Sequence, residues 1–391
     1  VTSTSELRSN TTLTFSSDEE RFRAFGRAID AIHDEAKSKV GEEDLRYIRN
    51  LDRLAHVAAV SGRLLLALGP GPISFVAGVA SLWVHKQLHA TEIGHTVLHG
   101  AFNKIPGEHP YRSSTWNWRT PIDEQSWIRG HNGAHHGLTN VEGDDPDVEY
   151  GPVRLTTDVP HRPVHYVQLP FMLFILMPNF SLLMNLHFTD ISDVYSGKTT
   201  ATPEQMRERW RVAMRKYVPY YAREALLYPA LSLVLLGPWA ALRMAAGNFL
   251  AERMRDLYSA ATIFCGHVGE RTAHFAPGTR PRSKGERQAM QVEAANNFQV
   301  PRIVSIFCGA LDLQIEHHLF PTLPTERLRE VAPAVRAACE AHGVEYRQAS
   351  WPRTLANAIR HVARLSFRQP DERAPAQPHT PARADEAPLA A

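Results

Sequence analysis

Apolar residues in this chain gather into paired stretches separated by Gly-Pro breakers. Residues 54–68 (LAHVAAVSGRLLLAL) lead through Gly69-Pro70-Gly71-Pro72 into residues 73–84 (ISFVAGVASLWV). The arrangement recurs at residues 225–236, which break at Gly237-Pro238 and resume through residues 239–250. Gly and Pro together mark sharp turns, so each pair predicts a helical hairpin. The limbs hold about 12 to 15 residues, short of the roughly 20 that cross a bilayer, and Arg63 and Arg243 interrupt them. A buried soluble helix pair meets that description. We favour membrane hairpins, with arginines snorkelling to the surface and polar flanks carrying each helix past the hydrocarbon.

A third apolar stretch, residues 169–186, contains Pro170, Pro178 and Asn179. If it crossed, the Arg- and Lys-rich loop at residues 187–224 would lie outside, against the positive-inside tendency. It is expected to lie in the interface. Two hairpins then leave both termini and almost every histidine on the cytoplasmic side. The predicted fold is all-α: an integral membrane protein with two transmembrane helical hairpins and a cytoplasmic helical cap carrying a His-rich dimetal site. Residues 1–17 are polar, and residues 368–391 are rich in Pro, Ala and charge. Neither buries enough apolar surface to offset chain entropy, so both are expected to be disordered tails around one domain, residues 18–367.

Composition narrows the function. Lys plus Arg number 43 against 41 Asp plus Glu, a net charge of +2, so no nucleic-acid partner is expected. The 3 cysteines, Cys265, Cys308 and Cys339, are too few for a disulfide scaffold or for an iron-sulfur cluster of the usual four thiolates. No secretory signal is visible in residues 1–17. The unusual count is histidine, at 20.

Among so many histidines, chance alone supplies about one pair at i, i+4, so His95 and His99 in EIGHTVLHG carry little weight by themselves. On a helix, however, that spacing puts both imidazoles on one face, where they can grip one metal. The stretch HNGAHHGLTN adds His131, His135 and His136, a pattern expected by chance about 0.05 times. On an α-helix His131 and His135 share a face, while His136 points about 100° away, toward a neighbouring metal. The stretch LQIEHHLFP adds Gln314, His317 and His318, and His267 follows the second hairpin as His95 follows the first. That many imidazoles exceed one metal's capacity, so two metals fit better. An imidazole shell suits zinc, copper, iron or nickel.

The order HTVLH, HNGAHH, QIEHHLFP with paired apolar hairpins resembles the membrane fatty acid desaturase family, over residues 30–346. The stretches DLRYIR, SGRLLLA, SSTWNW, IFCGH and PTLPTERL make it look closest to the mycobacterial membrane-bound stearoyl-CoA desaturases. The resemblance implies a di-iron centre held by His95, His99, His131, His135, His136, His267, His317 and His318. Gln314 stands where many relatives carry a further ligand histidine. It also implies dioxygen as co-substrate, a fatty acyl substrate on CoA or lipid, and membrane lipid as surroundings. The chain shows no Gly-x-Gly-x-x-Gly fingerprint and no cytochrome b5 haem motif. Electrons from NAD(P)H are therefore expected through a separate reductase of ferredoxin or cytochrome b5 type, and the basic run at residues 207–216 is a candidate docking patch. Two other readings stand beside this one: a di-iron lipid or alkane hydroxylase, and a non-redox zinc membrane hydrolase.

Overall fold

The computed structural model describes Leu13, Phe15 and residues 17–269 and 271–370. Helix Glu42–Leu68 turns into helix Gly71–Ala90. Gly71 takes a φ of +68°, a left-handed conformation that a β-carbon disfavours. Across this hairpin Gly62 and Gly78 let the backbones touch: a β-carbon on either would stand 3.0 Å from the other's carbonyl oxygen. In the second hairpin, helix Pro203–Tyr221 continues through a π-helical turn, Ala222–Leu227, into Tyr228–Leu236. The chain reverses at Gly237, with a φ of +89°, and returns as helix Pro238–His267. The limbs outrun their apolar stretches. Glu42–Leu68, Gly71–Ala90 and Pro238–His267 have 27, 20 and 30 residues, and at 1.5 Å per residue even the shortest is about 30 Å long.

The charges that make these limbs look too polar in sequence turn inward. Lys86 Nζ lies 3.1 Å from Glu224 and 2.9 Å from Glu252, and it also donates to the Tyr220 hydroxyl. Arg255 bonds Asp256 at 2.8 Å, and Arg63 reaches Glu224 at 3.1 Å. Arg243 does not snorkel outward as expected. It donates to the carbonyls of Leu65, Leu66 and Gly71, because the last turn of a helix leaves its carbonyls without intrahelical partners. The outward faces are apolar instead. Leu54, Val57, Val60, Leu64 and Leu68, spaced three or four apart, are all exposed, as are Leu226, Val234, Trp239, Leu242 and Phe249 on the second hairpin.

Among the described residues one helical segment, Pro163–Phe188, is long and apolar enough to cross a membrane on composition alone, and 39% of its apolar window is buried. It is the stretch expected in the interface. Successive 3-10, α and π turns break it around Pro170 and Pro178. Its last turns bring Phe180, Met184 and Phe188 into a core with Trp118, Trp127 and Phe264.

Above the hairpins, helices Asp18–Ser38, Lys284–Glu293, Gln314–Leu319 and Thr325–Ala341 enclose a second core of Phe25, Ile29, Val292, Ile315, Leu328 and Val335. The described residues are mostly helical, and they include two short ladders that no sequence period reveals. Glu149–Tyr150 pairs antiparallel with Val153–Arg154, and Asn297–Gln299 pairs parallel with Gln348–Ser350. The second ladder matters for the site, because Asn297 Nδ2 donates to Glu316 at 2.8 Å and its Oδ1 accepts from the Ile315 N–H, fixing helix Gln314–Leu319. Part of the expected N-terminal tail is packed: the Leu13 N–H donates to the Ala341 carbonyl and Phe15 stacks on His342. Residues 1–12 and 371–391 lie outside the described residues.

Candidate metal centre

The last turn of the first hairpin widens into a π-helical turn, Thr91–His95, and the second histidine cluster is π-helical over Ile128–His135. Within that turn the His136 N–H bonds the His131 carbonyl five residues back, at 3.0 Å. Such single π turns re-aim side chains, because five residues rather than four separate stacked positions. His131 and His136 therefore face each other with Nε2 atoms 3.3 Å apart, and His95 and His99 do so at 3.2 Å. His131 and His135 do stack, with ring centroids 5.1 Å apart, but the expectation that His136 turns away from His131 does not hold. It assumed α-helical spacing.

Two groups of donors result. His95, His99, His131 and His317 place one nitrogen each within 4.8 Å of one another, and so do His135, His267 and His318. The consecutive residues His317 and His318 thus split between the groups. His136 lies between them, stacked on His318 at 4.2 Å and edge-on to His99 and His317 at 4.8 Å. Gln314 Nε2 is 2.6 Å from His267 Nε2, while its buried Oε1 has no hydrogen-bond partner. A β-carbon on Gly266 would meet the Gln314 side chain at 2.8 Å, so that glycine makes room for it.

Neighbouring acceptors fix the rings. Asp145 takes His135 Nδ1 at 3.0 Å and is itself held by the Asn140 and Asp147 N–H groups. His318 Nδ1 meets Gln291 at 2.9 Å and Thr139 at 3.1 Å, and His267 Nδ1 faces the Ala294 carbonyl at 3.3 Å. Holding Nδ1 in this way aims Nε2 at the centre. Asp147 stands with His131 and His135 in a third set of donors and bonds His187 at 3.0 Å. His187 belongs to none of the donor sets and meets them through Asp147. Asp144 and Glu149 bind Arg280 and Arg162 instead.

Burial drives His95 down to about 3, and His99, His131, His136, His317 and His318 well below the usual imidazole value. Burial also opposes charge on His135, but Asp145 and Asp147 overcome it and raise the ring to about 9. Neutral imidazoles with lone pairs aimed at one another cannot all hydrogen-bond, and the buried His317 Nε2 has no partner. A cation resolves this. With metal–nitrogen bonds of about 2.1 Å, ligands at right angles stand about 3.0 Å apart and at the tetrahedral angle about 3.4 Å. The separations of 3.2 and 3.3 Å above, and 2.9 Å between His318 and His267, suit shared metals. Beside the rings runs an apolar cleft lined by Trp118, Trp127, Phe180, Met184, Phe188 and Ile263. Trp116 lies off that cleft and packs against His89 and Tyr111.

Replacing Asp145 by Asn is expected to lower metal affinity and turnover by about 10- to 100-fold, since it removes the charge that orients His135. Metal content and turnover measured on the same preparation check this, and an unchanged enzyme would show that His135 is aimed by packing alone. The basic run is less free for docking than its sequence suggests. Arg207 and Arg211 pair with Glu204 and Glu208, and Arg215 and Lys216 with Asp123 and Glu124.

Known proteins share this sequence pattern. The model of the family described as "Fatty acid desaturase" matches residues 63–350. The NADPH-dependent stearoyl-CoA 9-desaturase of Mycobacterium tuberculosis is 31% identical over 341 residues, which cover 87% of this chain and 78% of the relative. An acyl-lipid 8-desaturase of Rebecca salina is 27% identical over 61% of the chain and 50% of its own length, and fatty acid desaturase 3 of Bos taurus is 24% identical over 79% and 66%. The matched span takes in every histidine of the two groups, and on that footing the chain belongs to the fatty acid desaturase family.

Proposed function

We propose that this chain is a membrane-bound di-iron fatty acyl desaturase that uses dioxygen and electrons from NAD(P)H delivered by a separate reductase of ferredoxin or cytochrome b5 type. Family membership makes it an oxidoreductase acting on fatty acyl chains. The observation that carries the finer reading is the pair of buried imidazole groups facing each other along an apolar cleft. An all-nitrogen cage does not by itself choose iron over zinc, but a relative named as NADPH-dependent favours a redox metal. We assign His95, His99, His131 and His317 to one iron and His135, His267 and His318 to the other. His136 lies between the two, and Gln314 orients His267.

When bound, a di-iron centre supplies the oxidising power by which dioxygen, two electrons and two protons take two hydrogens from adjacent methylenes, leaving a C=C bond and two waters. The residues of the chain do the rest. The cleft walls at Trp118, Trp127, Met184 and Phe188 hold the methylenes and exclude water, so the acyl chain lies beside His95 and His131, which line the same cleft. Asp145 keeps His135 in one tautomer, and Gln291 with Thr139 does the same for His318.

The membrane topology belongs to the same reading. We place both hairpins in the bilayer, with the cap and its histidines on the cytoplasmic side and Pro163–Phe188 packed along the interface. The outward rows of exposed Leu, Val and Phe support this placement, because apolar patches of that extent mark lipid or protein contact. Composition windows average those rows with the inward charges, which hides the limbs from a simple hydropathy test.

Mass spectrometry of lipids from a host expressing the chain with a matched reductase tests the function. The expected product is an acyl chain lacking two hydrogens. A product carrying one added oxygen would make the enzyme a hydroxylase, and one bound zinc without iron or redox activity would make it a hydrolase.

A further inference from the structure

Below the dimetal cage, the base of the first hairpin holds a second cluster that the desaturase reaction does not use. Asp52 and His56 lie one helical turn apart on Glu42–Leu68, and His85 and His89 one turn apart on Gly71–Ala90, so the two pairs meet across the hairpin. Donor atoms of Asp52, His56 and His89 all lie within 4.8 Å of one another. His89 is 0% exposed, yet neither of its ring nitrogens makes a hydrogen bond, and Asp52 Oδ1 is likewise without one. His89 Nε2 and Asp52 Oδ1 nevertheless face each other at 3.4 Å, and His56 Nδ1 stands 3.2 Å from the same oxygen.

We infer that Asp52, His56 and His89 form a separate mononuclear site for a zinc-like divalent transition metal. Two imidazoles and a carboxylate are a common donor set for such an ion, and two ligands at about 2.1 Å and the tetrahedral angle stand about 3.4 Å apart. A buried imidazole with both nitrogens idle is costly, and coordination removes that cost at Nε2. The surroundings are those of an ordered site. Tyr111 donates to Asp52 Oδ2 at 3.2 Å and His85 Nδ1 to the Ala55 carbonyl at 3.0 Å, while His56 Nδ1 donates to the Asp52 carbonyl at 2.7 Å, a bond that ligation through that nitrogen would replace. The His85 ring, 4.8 Å from that of His89, is the nearest further imidazole, and solvent completes the shell. The metal is structural. It clamps the hairpin six residues before His95, where the His89 carbonyl also accepts from Trp118 Nε1 at 2.8 Å.

The test is a metal count on the full-length protein in detergent, loaded with Zn²⁺ by dialysis and freed of excess by gel filtration. The unaltered protein is expected to carry one equivalent more than His56→Ala or His89→Gln. His56 is 45% exposed at its side chain, so the first variant stays folded even if the buried one does not. Equal zinc content in the unaltered protein and His56→Ala overturns the inference. Because the dimetal histidines are untouched in both variants, that result leaves the desaturase reading standing.

Discussion

Replacing His317 by alanine is expected to abolish desaturation, lowering product formation by more than about 100-fold, while the protein still folds and fractionates with membranes. His317 is where the sequence-distant parts of the first donor group converge. Its ring lies 4.8 Å from that of His95 and 4.7 Å from that of His99, and its Nε2 is the buried nitrogen without a hydrogen bond. Alanine leaves the other imidazoles with one ligand fewer and opens the centre to water. His135→Ala should do the same to the second group and also strand Asp145, whose carboxylate would lose the ring it orients. Turnover with saturating reductase, metal content and thermal unfolding, measured together, separate a lost ligand from a lost fold. Either variant retaining full turnover would remove its histidine from the centre.

The histidines were legible in the sequence because metal chemistry needs a rare residue type at short spacings, and seven of the 20 histidines fall in three tight clusters. Their division was not. Turning His136 away from His131 followed from an α-helical period, and the π turn over Ile128–His135 breaks that period, bringing their Nε2 atoms to 3.3 Å. Glycines at 130, 133 and 137 permit such a turn without demanding it. The hairpins were legible from Gly-Pro punctuation, but the true limb lengths were masked. Lys86 and Glu252 make the limbs look polar until they are seen to pair across two helices, and Arg255 until it is seen to reach Tyr220. Asp52, His56 and His89 carried no signal, since the two pairs belong to different helices and only the hairpin's register brings them together.

The second large effect concerns a residue with no side chain. Gly94→Ala is expected to destabilise the protein by about 1–3 kcal/mol or more and to cut activity severely. A β-carbon there would stand 2.0 Å from Trp118 Nε1 and 2.3 Å from the His89 carbonyl, the donor and acceptor of one hydrogen bond. Neither can retreat easily: the indole is a cleft wall, and the carbonyl belongs to the helix carrying the hairpin base. Relief requires the π turn to shift, and His95 sits next to Gly94 within it. Thermal unfolding and turnover check this. A variant as stable and active as the parent would mean that the turn yields without moving His95.

On the membrane-embedded reading, Lys86 has a consequence for how the chain is made. Its carboxylate partners, Glu224 and Glu252, lie 138 and 166 residues further along. A ribosome therefore delivers the cation to the translocation machinery long before either counter-charge exists, and a lone ammonium in hydrocarbon is strongly disfavoured. The leading hairpin must wait at a wet or protein-lined site until the trailing one emerges. The two would then partition into lipid as a neutral unit, making insertion a single late event rather than two successive ones.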